Sequence, residues 1–313
     1  MVDNKKIVVV IPAYKVAMHI ENVIRAVPSF VDEIIVVDDG CPENSGAIVE
    51  ELKFPNVTII YNHINQGVGG AVMSGFLEAI NNDADIVIKI DGDGQMDCSY
   101  ISKLIKPIIE GCVDYTKGNR FMDFEALKKM PKIRLFGNSI LSFLLKIASG
   151  YWNIMDPTNG FIAINREALM NLNMKKISKR YFFESDILIN LNIYNIRVKD
   201  ISIPAKYGSE KSSLNIIKTV FEFPPLIFKG LFKRIFLKYY IYDFNMASIY
   251  ILLGIPMILF GSIFGLIKWI NGIIYNVNNT AGTIMVAVLP IILGTLFLLQ
   301  AIQIDINNVP KRH

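Results

Sequence analysis

Asp91-Gly92-Asp93, followed by Gln95, is the group of residues in this sequence best suited to chemistry. Two carboxylates set close together can hold a hard divalent cation, and Gln95 can add a neutral oxygen. A cation held there bridges a diphosphate and neutralises charge on a departing group. Asp38-Asp39-Gly40 offers further acceptor oxygens, suited either to a ribose or base N–H or to a tight turn. Pro12-Ala13-Tyr14 supplies a rigid turn and a ring that suits either flanking a base or packing. Residues 65–71 (NQGVGGA) put glycines before a helix, where exposed amides favour an anion. No GK[ST] follows, so this is not a Walker loop, and a purely structural loop fits equally well. Asp156-Pro157 has the form of an N-cap with Pro at N1.

These residues need elements to position them. Ile7–Ile11, Glu33–Val37, Val57–Tyr61 and Asp85–Ile90 are near-continuous apolar runs, the pattern of strands buried on both faces. Ile20–Val27, Ala47–Leu52 and Gly69–Ile80 have helical spacing between them. The alternation predicts an α/β domain with a mostly parallel sheet. Ligands of such sheets bind beyond the carboxyl ends of the strands, where residues 12–14, 38–40 and 91–95 fall. Val198–Ile203 reads as a late strand closed by Pro204, and Glu184 and Asp186 lie in a helical pattern.

Of the 313 residues, 52% are hydrophobic, with a mean hydropathy of +0.39, and the excess lies in the last hundred. A net charge of +4 gives no case for nucleic acid. Cys41, Cys98 and Cys112 show no CxxC spacing and fit packing roles in a reducing compartment. The apolar run at the N-terminus is too short for a signal peptide. Leu214–Tyr242 carries Lys218, Lys229, Lys233, Arg234 and Lys238 and is interrupted by Pro224-Pro225. It is expected to form two amphipathic segments on a membrane surface. A packed terminal helix with a basic face is the alternative. Met246–Ile270 and Ala281–Ile304 are each long enough to cross a hydrocarbon layer of roughly 30 Å; a buried core hairpin is the other reading. Lys268 can snorkel, and Pro256 and Pro290 are tolerable kinks. The link Asn271–Thr280 is uncharged, whereas Lys311 and Arg312 follow the second span. Both chain ends are therefore expected in the cytosol. The expected division is 1–213 catalytic, 214–243 juxtamembrane, 244–306 transmembrane hairpin and 307–313 tail.

The ordered set VVVIPAYK, IIVVDDG, NQGVGGAVMSG, DGDGQMD and KGNRF resembles the family 2 glycosyltransferases, which have the GT-A fold. Arg134, DPTNGF at 156–161, FESD at 183–186 and IPAKYGSEKSSL at 203–214 are similar to polyprenyl-phosphate glycosyltransferases of the dolichyl-phosphate mannose synthase type. The resemblance covers about residues 5 to 215, and paired spans match one subgroup. It implies that Pro12, Tyr14, Val37 and Asp39 contact the nucleoside of a nucleotide-sugar. Asp91, Asp93 and Gln95, with Gly92 between them, would hold Mg²⁺ or Mn²⁺ on the donor diphosphate. Arg120 and Arg134 would grip donor and acceptor phosphates, and Lys206 and Lys211 would close over the site. Asp156 and Asp186 correspond to acids near the reaction centre. Lys15 and Val16 stand where the family often has Asn-Glu, which leaves GDP versus UDP open. Cys41 replaces a usual Ser and Cys98 a frequent Pro; both fit as packing substitutions.

The implied activity is inverting, metal-dependent transfer of a hexose, from GDP-mannose or UDP-glucose type donors, to a polyprenyl phosphate at a membrane. A second expectation is a family 2 enzyme extending a glycan or glycolipid hydroxyl. A third, from another class, is a non-catalytic membrane partner. Sugar, base, lipid length and oligomeric state, a homo-oligomer included, are left open by the residues.

Overall fold

The structure, a computed structural model, describes residues 2–122, 132–204 and 216–311; for residues 122, 132–136, 138 and 216–220 it describes only the backbone. Lys206, Lys211, Arg312 and the side chain of Arg134 therefore lie outside the described residues. The chain forms two compact units, Met1–Arg234 with Pro310–His313, and Ile235–Val309.

The first unit is built on β1 (Ile7–Ala13), β2 (Glu33–Asp38), β3 (Val57–Tyr61), β4 (Ile86–Lys89), β5 (Tyr115–Asn119), β6 (Ile162–Asn165) and β7 (Val198–Ser202). They form one sheet in the order β3-β2-β1-β4-β6-β5-β7. β6 runs antiparallel to β4 and β5, and the other pairings are parallel. The continuous β-branched runs of β1, β2 and β4 become central strands because helices cover both faces. Those helices are α1 (Ile20–Ala26), α2 (Ser45–Glu51), α3 (Val68–Asn81), α4 (Ile101–Ile109), α5 (Lys132–Ser149), α6 (Arg166–Met170), α7 (Phe183–Ile193) and α8 (Ile216–Phe236). One pairing matters for chemistry: Ile162 is opposite Lys89 on one side and Lys117 on the other. Residues in register share a face, so two lysines project from the same side of the sheet, two strands apart.

The double proline does not divide the basic stretch. α8 continues through Pro224 and Pro225, followed by a π-helical turn, Leu237–Tyr242. Both prolines are exposed, while Phe223 and Ile227 pack with Leu145, Ala148, Phe182 and Ile189. That packing on either side of the missing N–H groups holds the helix together. Nor do the cations form one solvated face. Arg234 is buried and donates to the carbonyls of Ile147 and Ala148, closing the end of α5. Lys233 donates to Asn190 Oδ1 at 2.6 Å, Lys238 is buried, and Lys229 is exposed. Phe221, Phe228, Phe232 and Phe236 are exposed along α8, which keeps its amphipathic character apolar rather than basic.

In the second unit, α9 (Met246–Tyr275) and α10 (Ala281–Asn307) form a hairpin, longer than the apolar runs suggest and joined by a shorter link. Both are long and apolar enough to cross a membrane, and most of their residues are exposed. Their buried residues include Ala247, Gly254 and Gly261 on one helix and Ala287, Gly294 and Ala301 on the other. Each set recurs every seventh residue, a seam of small side chains that lets the backbones approach. A Cβ on Gly261 would lie 2.5 Å from Ala287 O, and one on Gly294 2.7 Å from Gly254 O.

Candidate active site

The acidic loop after β4 lies against the loop after β1. A Cβ on Gly92 would meet Val16 Cγ2 at 3.1 Å and Pro12 O at 3.3 Å, so a glycine here permits the close approach. Asp93 Oδ1 accepts from Gln95 N at 3.0 Å, and Asp91 is partly exposed. Tyr14 is exposed beside Lys15 Nζ, 5.6 Å from the ring centroid. Val37 is buried under Gly75 of α3, so its side chain faces the core and a nucleoside could reach only its backbone.

Asp38 and Asp39 are buried and already engaged. Asp38 accepts from the amides of Cys41 and Gly46. Asp39 accepts from Asn62 Nδ2 at 2.8 Å, Gln66 N at 3.0 Å and Gly67 N at 2.8 Å. The amides of residues 66 and 67 are thus spent on Asp39, and Gly70 N donates to Lys179 O. The glycines admit the Ser178–Lys179 segment: a Cβ on Gly67 would lie 2.7 Å from Lys179 O, and one on Gly69 would collide with Ser178 O. Of the two readings of this loop, these contacts fit the structural one. Cys41 is a packing residue, accepting from Lys15 N and sharing a hydrogen bond with Ser45.

Behind the acidic loop lies a cluster of charges that spans three strands. Lys89 is 1% exposed, with Nζ 2.6 Å from Asp91 Oδ1. Glu184, from the first turn of α7, faces the same point: a Cβ on Gly160 would lie 3.1 Å from its Oε1 and 3.4 Å from Asp91 Oδ2. Burial pushes the Glu184 carboxyl up to about 7, against the pull of Lys89 and Lys117. Burial likewise brings the Lys117 ammonium down to about 8, with Glu184 and Asp156 opposing. Lys117 donates to Asn159 O.

Arg120 begins the turn after β5, and its guanidinium meets Asp156 twice: Nε to Oδ2 at 2.8 Å and Nη2 to Oδ1 at 3.0 Å. Asp156 is wholly buried while the Arg120 side chain is 42% exposed, so a buried carboxylate fixes the orientation of a partly exposed guanidinium. No helix starts at Pro157; the segment turns into β6, and the N-cap alternative for Asp156 is set aside. Asp200 on β7 accepts from Asn119 Nδ2 and Met155 N, both at 2.7 Å, through one oxygen. Burial, partly offset by the Met155 amide, raises its carboxyl to about 6.

Asp186 lies in a different place from the cluster. Its oxygens accept from Ser178 N, Ser178 Oγ and Asn190 Nδ2, so it anchors the Ser178 loop, while its neighbour Glu184 joins the charges. Lys89, Lys117 and Asp200 were not singled out by their sequence pattern. The signal for Lys89 was present: one lysine inside an otherwise apolar strand, where an unpaired charge is not tolerated.

Among the described residues no group of three or more His, Cys, Asp or Glu side chains stands ready for a metal. Asp91, Asp93 and Gln95 nevertheless suit a Mg²⁺-type ion, which takes one or two carboxylates and completes its shell with water and substrate phosphates.

Residues 8–172 match Glycosyl transferase family 2. The chain is 34% identical over 218 residues to a UDP-N-acetylglucosamine–dolichyl-phosphate N-acetylglucosaminyltransferase of Methanococcus voltae, covering 63% of this chain and 86% of that protein. It is 26% identical to a polyprenol monophosphomannose synthase of Mycolicibacterium smegmatis, covering 59% and 71%. Among solved structures, a glucosyl-3-phosphoglycerate synthase from Mycobacterium tuberculosis, crystallised with Mn²⁺ and UDP, superposes with a TM-score of 0.55 at 18% identity, covering 74% and 80%, which establishes the likeness of fold. With the match spanning β1 to β6, the acidic loop and the Arg120–Asp156 pair, this chain belongs to glycosyltransferase family 2.

Proposed function

We propose that the chain transfers a hexose or N-acetylhexosamine from a nucleotide-sugar to the phosphate of a polyprenyl lipid, with inversion, at the cytosolic face of a membrane. The observation that carries the lipid acceptor is the continuity of a family 2 glycosyltransferase region with two helices apolar over nearly their whole outer surface. The similarity to a dolichyl-phosphate N-acetylglucosaminyltransferase and a polyprenol monophosphomannose synthase supports it.

The chemistry follows from charge. A phosphate monoester has its second pKa near about 6, so the acceptor arrives largely dianionic and needs no general base. The difficulty is to bring it against a diphosphate. Arg120, whose Nε and Nη2 are held by Asp156, brings a fixed, partly exposed positive charge to which an acceptor phosphate is drawn. Arg134, on α5, is assigned to the same phosphate, and Lys206 and Lys211 to closing the site. Pro12 and Tyr14 flank the nucleoside, and Asp39 holds the loop beneath it. Asp91, Asp93 and Gln95 would hold Mg²⁺ or Mn²⁺, which when bound supplies Lewis-acid neutralisation of the leaving diphosphate. Attack is in line at the anomeric carbon, without a sugar–enzyme bond.

One observation favours the hydroxyl-acceptor alternative: Glu184 places a carboxylate beside Asp91, where a base for an alcohol would sit. A single assay separates the two. Purified chain with Mn²⁺ is offered UDP-GlcNAc, UDP-glucose and GDP-mannose, against polyprenyl phosphate and a polyprenol-linked glycan. Product on the phosphate, persisting in Glu184→Gln, supports the proposal; product only on the glycan, lost in Glu184→Gln, refutes it.

A further inference from the structure

A cation already resides beside the carboxylate assigned to the metal. Lys89 ends β4 between the fully buried Ile88 and Ile90, and sets its Nζ 2.6 Å from Asp91 Oδ1. It lies 5.5 Å from the centroid of the Phe183 ring. A Cβ on Gly160 would collide with this ammonium while meeting Glu184 Oε1 at 3.1 Å and Asp91 Oδ2 at 3.4 Å. Three charged groups therefore converge on the space that a glycine leaves. Packing alone does not call for a lysine here, because an apolar chain would fill the strand position without the cost of burying an ammonium.

We propose that Lys89 is a positioning residue that makes cation binding at Asp91-Gly92-Asp93 depend on the nucleotide donor. The inference rests on the donor chemistry proposed above. By engaging Oδ1, the ammonium fixes the rotation of the Asp91 carboxylate and turns Oδ2 towards the Gly160 side. By the same contact it opposes a divalent ion, since like charges a few ångströms apart repel even in a medium of high dielectric. Before the donor binds, Asp91 is shared with Lys89 and the loop is a poor cation site. The diphosphate brings two further anionic oxygens and tips the balance. Metal and donor then enter together, and a bare ion does not hold the site.

The test is Mn²⁺ titration of the full chain in detergent, followed by the electron paramagnetic resonance signal of free Mn²⁺, with and without UDP or GDP. Wild type is expected to bind Mn²⁺ at least about tenfold more tightly with nucleotide than alone. Lys89→Met is expected to bind Mn²⁺ alone at least about tenfold more tightly than wild type and to lose most of the nucleotide effect, while Lys89→Arg behaves as wild type. Gly160→Ala, which pushes the ammonium off Asp91, is expected to shift the same way as Lys89→Met. That gain is something simple damage would not produce, so it decides the matter if Lys89→Met fails to fold. Unchanged or weaker Mn²⁺ binding without nucleotide in Lys89→Met and Gly160→Ala, in a chain that transfers sugar, overturns this inference alone. A wild-type chain that binds no nucleotide overturns the functional proposal and this inference with it.

Discussion

The strand-end cluster and the helical hairpin solve opposite problems with equal economy. In the first unit, Lys89, Lys117 and Arg120 are set against Asp91, Glu184 and Asp156 in a partly buried site. Each charge there is tolerable only because another lies within reach. In the second unit the outer surface is apolar and the inner seam is made of Gly and Ala. Along that seam the cohesion is backbone proximity between small residues. Damage to the first should therefore appear in rates and pH profiles, and damage to the second in stability.

The sharpest break of that contrast is Asp93→Asn. It is expected to lower transfer by more than about 100-fold, above the range usual for outer-shell partners, while the protein stays in the membrane fraction; equal sedimentation with lost product checks it. Gly294→Leu should do the reverse. With Gly254 O only 2.7 Å from a Cβ at that site, a destabilisation of about 2–3 kcal/mol is expected, read as a lower midpoint of thermal unfolding in detergent with turnover of the remaining folded enzyme unchanged. Asp156→Asn keeps the size of the side chain but removes its charge and one of the two acceptors that hold Arg120. A loss of about tenfold in kcat/KM for the lipid phosphate, with donor KM little changed, is expected from steady-state kinetics.

The smallest effect is at Asp200. Its carboxyl is raised to about 6 in the folded chain, against about 3.9 when unfolded, so the proton it binds favours the folded state. That stabilisation is complete below the unfolded value and is lost as the pH rises through about 6, at no more than about 1.4 kcal/mol per pH unit. Asp200→Asn should flatten this part of the stability profile, so that its unfolding midpoint gains on wild type by a few degrees between pH 5 and pH 7.5.

What could be read in the residues was what repeats. β1, β2 and β4 were legible because long Val and Ile runs have one physical outcome, burial on both faces, whereas β3 (VTIIY), read the same way, lies at the sheet edge and is only half-buried. β5 and β6 were not, since YTKGN and IAIN are short and carry polar residues explained only by partners far along the chain. The same holds at the site. Asp91, Asp93, Arg120 and Asp156 stand in recognisable motifs, whereas the importance of Lys89 and Lys117 comes from both facing Ile162 across neighbouring strands. Pro224 and Pro225 misled because local chemistry argues for a break, and packing of Phe223 and Ile227 outweighs it. Arg234 misled in the other direction: a basic residue among lysines reads as surface, yet it serves the end of α5.

The length of α9 has its own consequence. From Met246 to Ile267 the helix is uncharged and rises about 33 Å at 1.5 Å per residue, close to the thickness of a hydrocarbon layer. The remaining turns begin with Lys268 and carry the exposed rings of Trp269 and Tyr275. In a bilayer those turns stand in the far headgroup zone, where indole and phenol rings rest comfortably at the boundary. Thinner or thicker lipid would then be met by moving that aromatic collar, leaving the glycine seam undisturbed.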